Sequence, residues 1–221
     1  METIWWAYLF PLATGSPCRK RVLIMKKVNA EASLVVLTIG HSTRALEDFI
    51  SLLREYGVQK VVDIRTIPRS RHNPQFNREE LPNSLKAVGI GYVHMSGLGG
   101  LRHSVPDSPN TGWRNLSFRG FADYMQKEEF KNSLWALIEL AKTERLALMC
   151  AEAVPWRCHR SLIADALSVR GIQVQHILSS TSSQSHKITP WARVDGTNIT
   201  YPPEEPRNNC KHSSAKVSRS N

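Results

Sequence analysis

The chain has no run of eighteen apolar residues, so a membrane-spanning helix is excluded. Cysteine is scarce, with four in 221 residues, too few for a disulfide-stapled scaffold. Twelve glycines without a period exclude a collagen-like chain, and no internal repeat points to a solenoid. Acidic residues are also short. Nineteen Asp and Glu face 29 Lys and Arg, giving a formal charge of +10. Residues 1–30 carry +4 of this and residues 202–221 carry +2, so the middle is only mildly basic. Such a surface attracts phosphate or nucleic acid, or is simply solvated. Hydrophobic residues at 41% and charged residues at 22% suit one globular domain with extensions.

The ends differ from the middle. Residues 4–13 are apolar, with Glu2 ahead and Arg19, Lys20 and Arg21 behind. A secretory signal needs the opposite order of charge. Met25 opens a stretch that reads as an ordinary cytosolic start, so residues 1–30 are expected to be an extension, disordered or mis-started. An interfacial anchor is the alternative reading of the apolar segment. Residues 203–221 are rich in Ser, Asn and Lys and are expected to be a disordered basic tail. The domain is expected over 31–202. A cytoplasmic location with reduced cysteines and no membrane partner follows.

Within the domain, strand and helix signals alternate. Short apolar runs at 34–39, 60–64, 91–95, 145–150 and 172–178 predict five strands. Leu46, Phe49, Ile50, Leu53 and Tyr56 recur at helical spacing, and helices are also expected near 79–88, 121–138 and 158–169. The expected bend in the third lies near Glu128. This pattern predicts a single α/β domain with a doubly wound, mainly parallel, Rossmann-like five-stranded sheet and helices on both faces. Ligands in such sheets bind beyond the carboxyl ends of the strands.

The candidate chemistry falls just after those strands. Gly40, His41 and Ser42 follow the first, where Ser42 or Thr43 is expected to cap the next helix and free N–H groups suit an anion. Arg65, Arg69 and Arg71 follow the second. Gly99 and Gly100 lie in the long loop after the third. Cys150, Glu152, Arg157, Cys158, His159 and Arg160 follow the fourth. The expected acid–base and reactive residues are His41, Cys150, Glu152 and His159. The expected anion- or substrate-binding residues are Ser42, Arg65, Arg69, Gly99, Gly100, Cys158 and Arg160. Glu152 is expected to pair with Arg157 or Arg160.

Three chemical readings stay open. In one, Cys150 is a thiol catalyst at a strand end, as in cysteine phosphatases and rhodaneses. Phosphatases place an arginine six positions on, but Trp156 stands there and Pro155 removes an N–H donor. In the second, Cys150, Cys158 and His159, with His41, bind a divalent metal, although neither spacing is a strong zinc signature. The zinc-deaminase pattern is rejected, because its Pro-Cys-x-x-Cys is absent. In the third, His159 and Arg160 face a nucleotide or nucleic-acid phosphate beside a helix end. No cofactor is expected. The expected partner is a small phosphorylated ligand; the binding-module alternative has Trp113 and Phe118 gripping nucleic acid without catalysis.

Several segments together resemble the DUF488 family of small bacterial and archaeal proteins. They include Thr38-Ile39-Gly40-His41-Ser42, Asp63-Ile64-Arg65, Leu98-Gly99-Gly100, Leu148-Met149-Cys150-Ala151-Glu152 and Cys158-His159-Arg160. Gly120 to Met125, and the Thr189-Pro190-Trp191-Ala192-Arg193 block with Thr200-Tyr201-Pro202, are similar too. The resemblance spans about Leu37 to Pro202. It implies a prokaryotic cytosolic protein with a site at these residues, and no particular reaction.

Overall fold

A computed structural model describes residues 34–203. The expected extension over residues 1–30, the start at Met25 and the tail at 203–221 fall almost wholly outside the described residues. The core is a sheet of β1 (Val35–Gly40), β2 (Lys60–Asp63), β3 (Gly91–His94), β4 (Leu146–Cys150) and β5 (Gln173–Ile177), all parallel where they pair. A sixth strand, β6 (Ser183–Ser185), adds antiparallel to β5. The sheet therefore has six strands and is mixed, where five were expected. Its order is β3-β2-β4-β1-β5-β6. This is not the dinucleotide-binding order 3-2-1-4-5-6, because β4 lies between β2 and β1. A separate hairpin pairs β7 (Arg193–Asp195) with β8 (Asn198–Thr200).

The helices are α1 (Leu46–Glu55), α2 (Leu81–Lys86), α3 (Leu116–Tyr124), α4 (Glu128–Thr143) and α5 (Arg160–Ser168). The single long helix expected over 121–138 is two helices. Asn115 caps α3 by accepting from the N–H groups of Ser117 and Phe118, and the chain breaks after Met125. Period-2 alternation sorts the strand side chains between two cores. Leu146, Leu148 and Cys150 of β4 join α3, α4 and α5 on one face. Ala147 and Met149 join α1 and α2 on the other. Phe49, Leu52 and Leu53 are the buried stripe of α1. Truncating such a side chain to alanine costs about 2–5 kcal/mol.

The register aligns the strand ends. Gly40 lies opposite Cys150, and Asp63 lies opposite both Met149 and His94. β1 and β4 are neighbours, yet the strand after β1 lies beyond β4 and the strand after β4 lies beyond β1. Their chains leave in opposite directions, and a crevice opens between their carboxyl ends.

The C-terminal block is tied down by a buried polar knot on α5. The Asp165 carboxylate accepts from Tyr201 Oη (2.9 Å), Thr189 N (2.9 Å), Thr189 Oγ1 (2.7 Å) and His186 Nε2 (2.8 Å). His186 Nδ1 is thereby left to accept from His176 Nε2 at 3.0 Å. His176 Nδ1 in turn accepts from Thr38 Oγ1 at 2.7 Å.

Candidate functional site

An open cleft of about 770 Å³ sits over the ends of β1 and β4. Its wall includes His41, Ser42, Arg65, Arg69, Gly100, Cys150, Glu152, Cys158 and His159. Two expected residues, Gly99 and Arg160, do not line it. Period 2 again decides which groups meet. His41 and Arg65 come in from the α1/α2 face, and the two cysteines with His159 from the α3–α5 face.

On the first face, Asp63 and Arg65 stand two residues apart and pair bidentately. Nε reaches Oδ1 at 2.9 Å and Nη2 reaches Oδ2 at 2.6 Å. Tyr92 also donates to Asp63, at 2.8 Å. Burial and the neighbouring carboxylate push the Tyr92 hydroxyl pKa up. Arg65 is only 6% exposed and gives a further bond to Phe76 O at 2.7 Å. Its Nη1 points at His41 Nε2, 3.2 Å away. A guanidinium only donates, so Nε2 holds a lone pair and Nδ1 carries the proton. Nδ1 donates to Ser42 O at 2.9 Å. Burial, and to a lesser extent Arg65, hold the His41 pKa below its ordinary value. The ring stacks on Phe76 with centroids 4.3 Å apart.

The backbone after β1 is already occupied. His41 N donates to Cys150 O and Ser42 N to Ala151 O, both at 2.9 Å, which extends the β1–β4 ladder. Those two N–H groups are therefore not available to an anion. Neither Ser42 nor Thr43 caps α1, whose N-cap is Ala45. Ser42 does line the cleft, with φ at 48°. Gly40 permits the close approach, since a Cβ there would overlap Glu152 O.

On the second face, Cys158 Sγ lies 2.9 Å from Cys150 Sγ and 3.6 Å from His159 Nδ1. His159 Nε2 is 3.1 Å from Ile64 O. A carbonyl only accepts, so Nε2 donates and Nδ1 presents its lone pair to the sulfurs. The Cys158 thiol, with help from His159 and the Glu152 N–H, holds the Cys150 thiol well below its usual range, although burial opposes this. Burial drives Cys158 the other way. The His159 ring packs on Phe121, and a Cβ on Gly100 would overlap it. That contact explains why the Gly99–Gly100 loop can close over the histidine.

Arg160 is 1% exposed and lies beneath the loop. It donates to Glu152 O (2.6 Å) and Ala153 O (2.7 Å), so it props the loop from below. The Glu152 carboxylate makes no ion pair with Arg160 or Arg157; what Arg160 holds is the main-chain oxygen. Arg69 is 69% exposed at the rim and pairs with Glu79 at 3.1 Å. Arg157 also lines the cleft. Trp113 and Phe118 are half-buried and pack together with centroids 4.8 Å apart, and Trp113 also meets Trp191 and Tyr201.

The model of the domain of unknown function DUF488 matches residues 45–167. The chain belongs to the DUF488 family. The matched span holds the arginine loop, Cys150, Glu152, Cys158 and His159, while His41 and Ser42 lie just ahead of it. No curated protein and no solved structure matches the chain. Among the described residues, no helix is long and apolar enough to cross a membrane.

Sequence reasoning placed Asp63 after the second strand without giving it a role, and did not single out Phe76 or Tyr92 as site residues. For Asp63 a signal existed, because two residues of opposite charge at i and i+2 off a strand end share a side. Nothing in the spacing of Phe76 announced its stacking on His41.

Proposed function

We propose that this DUF488 protein is an enzyme acting on a small anionic molecule of the phosphorylated or nucleotide-like class, bound in the cleft over β1 and β4. The observation that supports this most is the placement of Cys150, Cys158 and His159 together on the wall of a cleft whose rim bears Arg69 and Arg157. The cleft volume is typical of small-molecule sites. His159 Nδ1 is the group free to take a proton beside the sulfurs, and the exposed Glu152 carboxylate is the second acid–base group. His41 has a different part. Both ring nitrogens are engaged, so it positions the β1 loop and does not exchange protons with a substrate. Arg65 and Arg160 likewise hold the walls, which leaves Arg69 and Arg157 to meet the anion.

A nucleic-acid grip without chemistry needs free stacking faces. The packing of Trp113 against three other rings weighs against it.

Thermal unfolding with a panel of nucleoside phosphates and sugar phosphates tests the reading. A ligand at about 100 times its Kd adds about 2.7 kcal/mol of stability. At least one class should raise the Tm of the wild type, and Arg69→Ala/Arg157→Ala together should abolish the rise. A panel without effect, or an equal rise in the double variant, contradicts the proposal.

A further inference from the structure

We propose that Cys150, Cys158 and His159 form a binding site for one zinc-class divalent cation, with its fourth coordination position open to the cleft. The candidate ligand atoms, two sulfurs and one imidazole nitrogen, all lie within 4.8 Å of one another. That is the donor set of a three-ligand, soft-metal site, in which water or substrate completes a tetrahedron. Bond lengths of about 2.3 Å to sulfur place tetrahedral sulfurs roughly 3.7 Å apart. The cysteine sulfurs stand at 2.9 Å, so binding needs them to part by less than one ångström. The 3.6 Å between Cys158 Sγ and His159 Nδ1 already suits two ligands of one ion.

The histidine is prepared for the role. Its Nε2 donates to Ile64 O, the outer hydrogen bond that metal-bound imidazoles commonly make, and this directs the Nδ1 lone pair to the sulfurs. Gly100 packs so closely against the ring that a Cβ there would overlap it. His41 is excluded as a fourth ligand, since Arg65 holds its Nε2 and Ser42 O its Nδ1. All three ligand residues line the cleft, so the remaining position faces solvent and substrate. A bound ion supplies Lewis acidity there, and both thiols release their protons when it binds. The inference deepens the reading of the cleft: with the ion bound, His159 Nδ1 is a ligand and Glu152 is left as the acid–base group, and the inference rests on that reading only for the identity of the group that meets the open position.

The test is cobalt and zinc uptake by the full-length chain, purified under reducing conditions without chelator. A Cys18→Ser/Cys210→Ser background removes the two other thiols. One ion per chain is expected, with thiolate-to-cobalt charge-transfer absorption and the strong visible bands of a tetrahedral site. Cys158→Ser and His159→Gln should each weaken binding by more than the roughly 10–100-fold typical of outer-shell changes. Absence of uptake by the parent protein, uptake lost with Cys18 and Cys210, or affinity unchanged in Cys158→Ser overturns the site. The parent-protein spectrum decides the matter even where a variant fails to fold. Arg69→Ala/Arg157→Ala should keep the metal and lose the anion. If the metal fails while phosphate ligands still raise the Tm through those arginines, the cleft reading stands alone.

Discussion

Nη1 of Arg65 stands 3.2 Å from Nε2 of His41, and this contact settles the protonation of the histidine. The guanidinium is itself fixed by Asp63, so the donor cannot turn away. His41 is held as the neutral Nδ1–H tautomer, and its pKa lies below the ordinary value. Ring-nitrogen NMR checks this directly. The account expects a proton on Nδ1 and no titration at the usual histidine pH. An Nε2–H tautomer, or an ordinary titration, would show that Arg65 does not face the ring.

Asp63 anchors this corner through Arg65 and Tyr92 while fully buried. Removing one member of a buried ion pair leaves the other charge uncompensated, at about 3–5 kcal/mol. Asp63→Ala is expected to lose that much in urea unfolding. A loss below about 1 kcal/mol, the range of exposed pairs, would place the pair in solvent.

His176 gives a pH dependence. Burial first, then His186 and Arg160, push its pKa down to about 3, and Asp165 only partly opposes them. The ring sits between Thr38 Oγ1 and His186 Nδ1. In the unfolded chain it titrates near 6.5. Between those values the unfolded state binds the extra proton, so stability is full above about pH 6.5 and falls as pH drops towards 3. Urea midpoints measured from pH 7 to 4.5 should decline, and His176→Asn should flatten the decline. A midpoint that rises on acidification would contradict the donor chain running from Thr38 to Asp165.

Gly100→Ala places a methyl group in the His159 ring. Overpacking of this kind costs about 1–3 kcal/mol. The variant should fold and should bind cobalt more weakly than the parent, because the ring must shift away from the sulfurs. Unchanged affinity would show that His159 is not confined by the loop.

Much of the architecture was legible because it depends on local pattern. Runs such as Val35–Ile39 and Leu146–Cys150 are buried on both faces, and parallel strands of that kind read as continuous apolar segments. β6 escaped notice because Ser183-Gln184-Ser185 is short and polar and pairs only with β5. The β7–β8 hairpin did carry a signal, the two-residue turn Gly196-Thr197 between short runs, where Gly196 has φ of 57°. The strand order was not legible, since nothing local tells β4 to insert between β2 and β1. For the site, position after a strand located the cleft residues but not their partners. Whether Arg160 reaches an anion or a carbonyl depends on depth, and depth is set by packing from distant segments.

The central claim is that an anion binds over the ends of β1 and β4. A titration of isotope-labelled protein with a nucleoside phosphate or sugar phosphate, followed through backbone amide shifts, tests it most directly. The account predicts saturable shifts concentrated at Ser42, at Arg69 and Ser70, and from Glu152 to His159. Saturable binding whose shifts fall elsewhere, or no shift for any member of the panel, would contradict it.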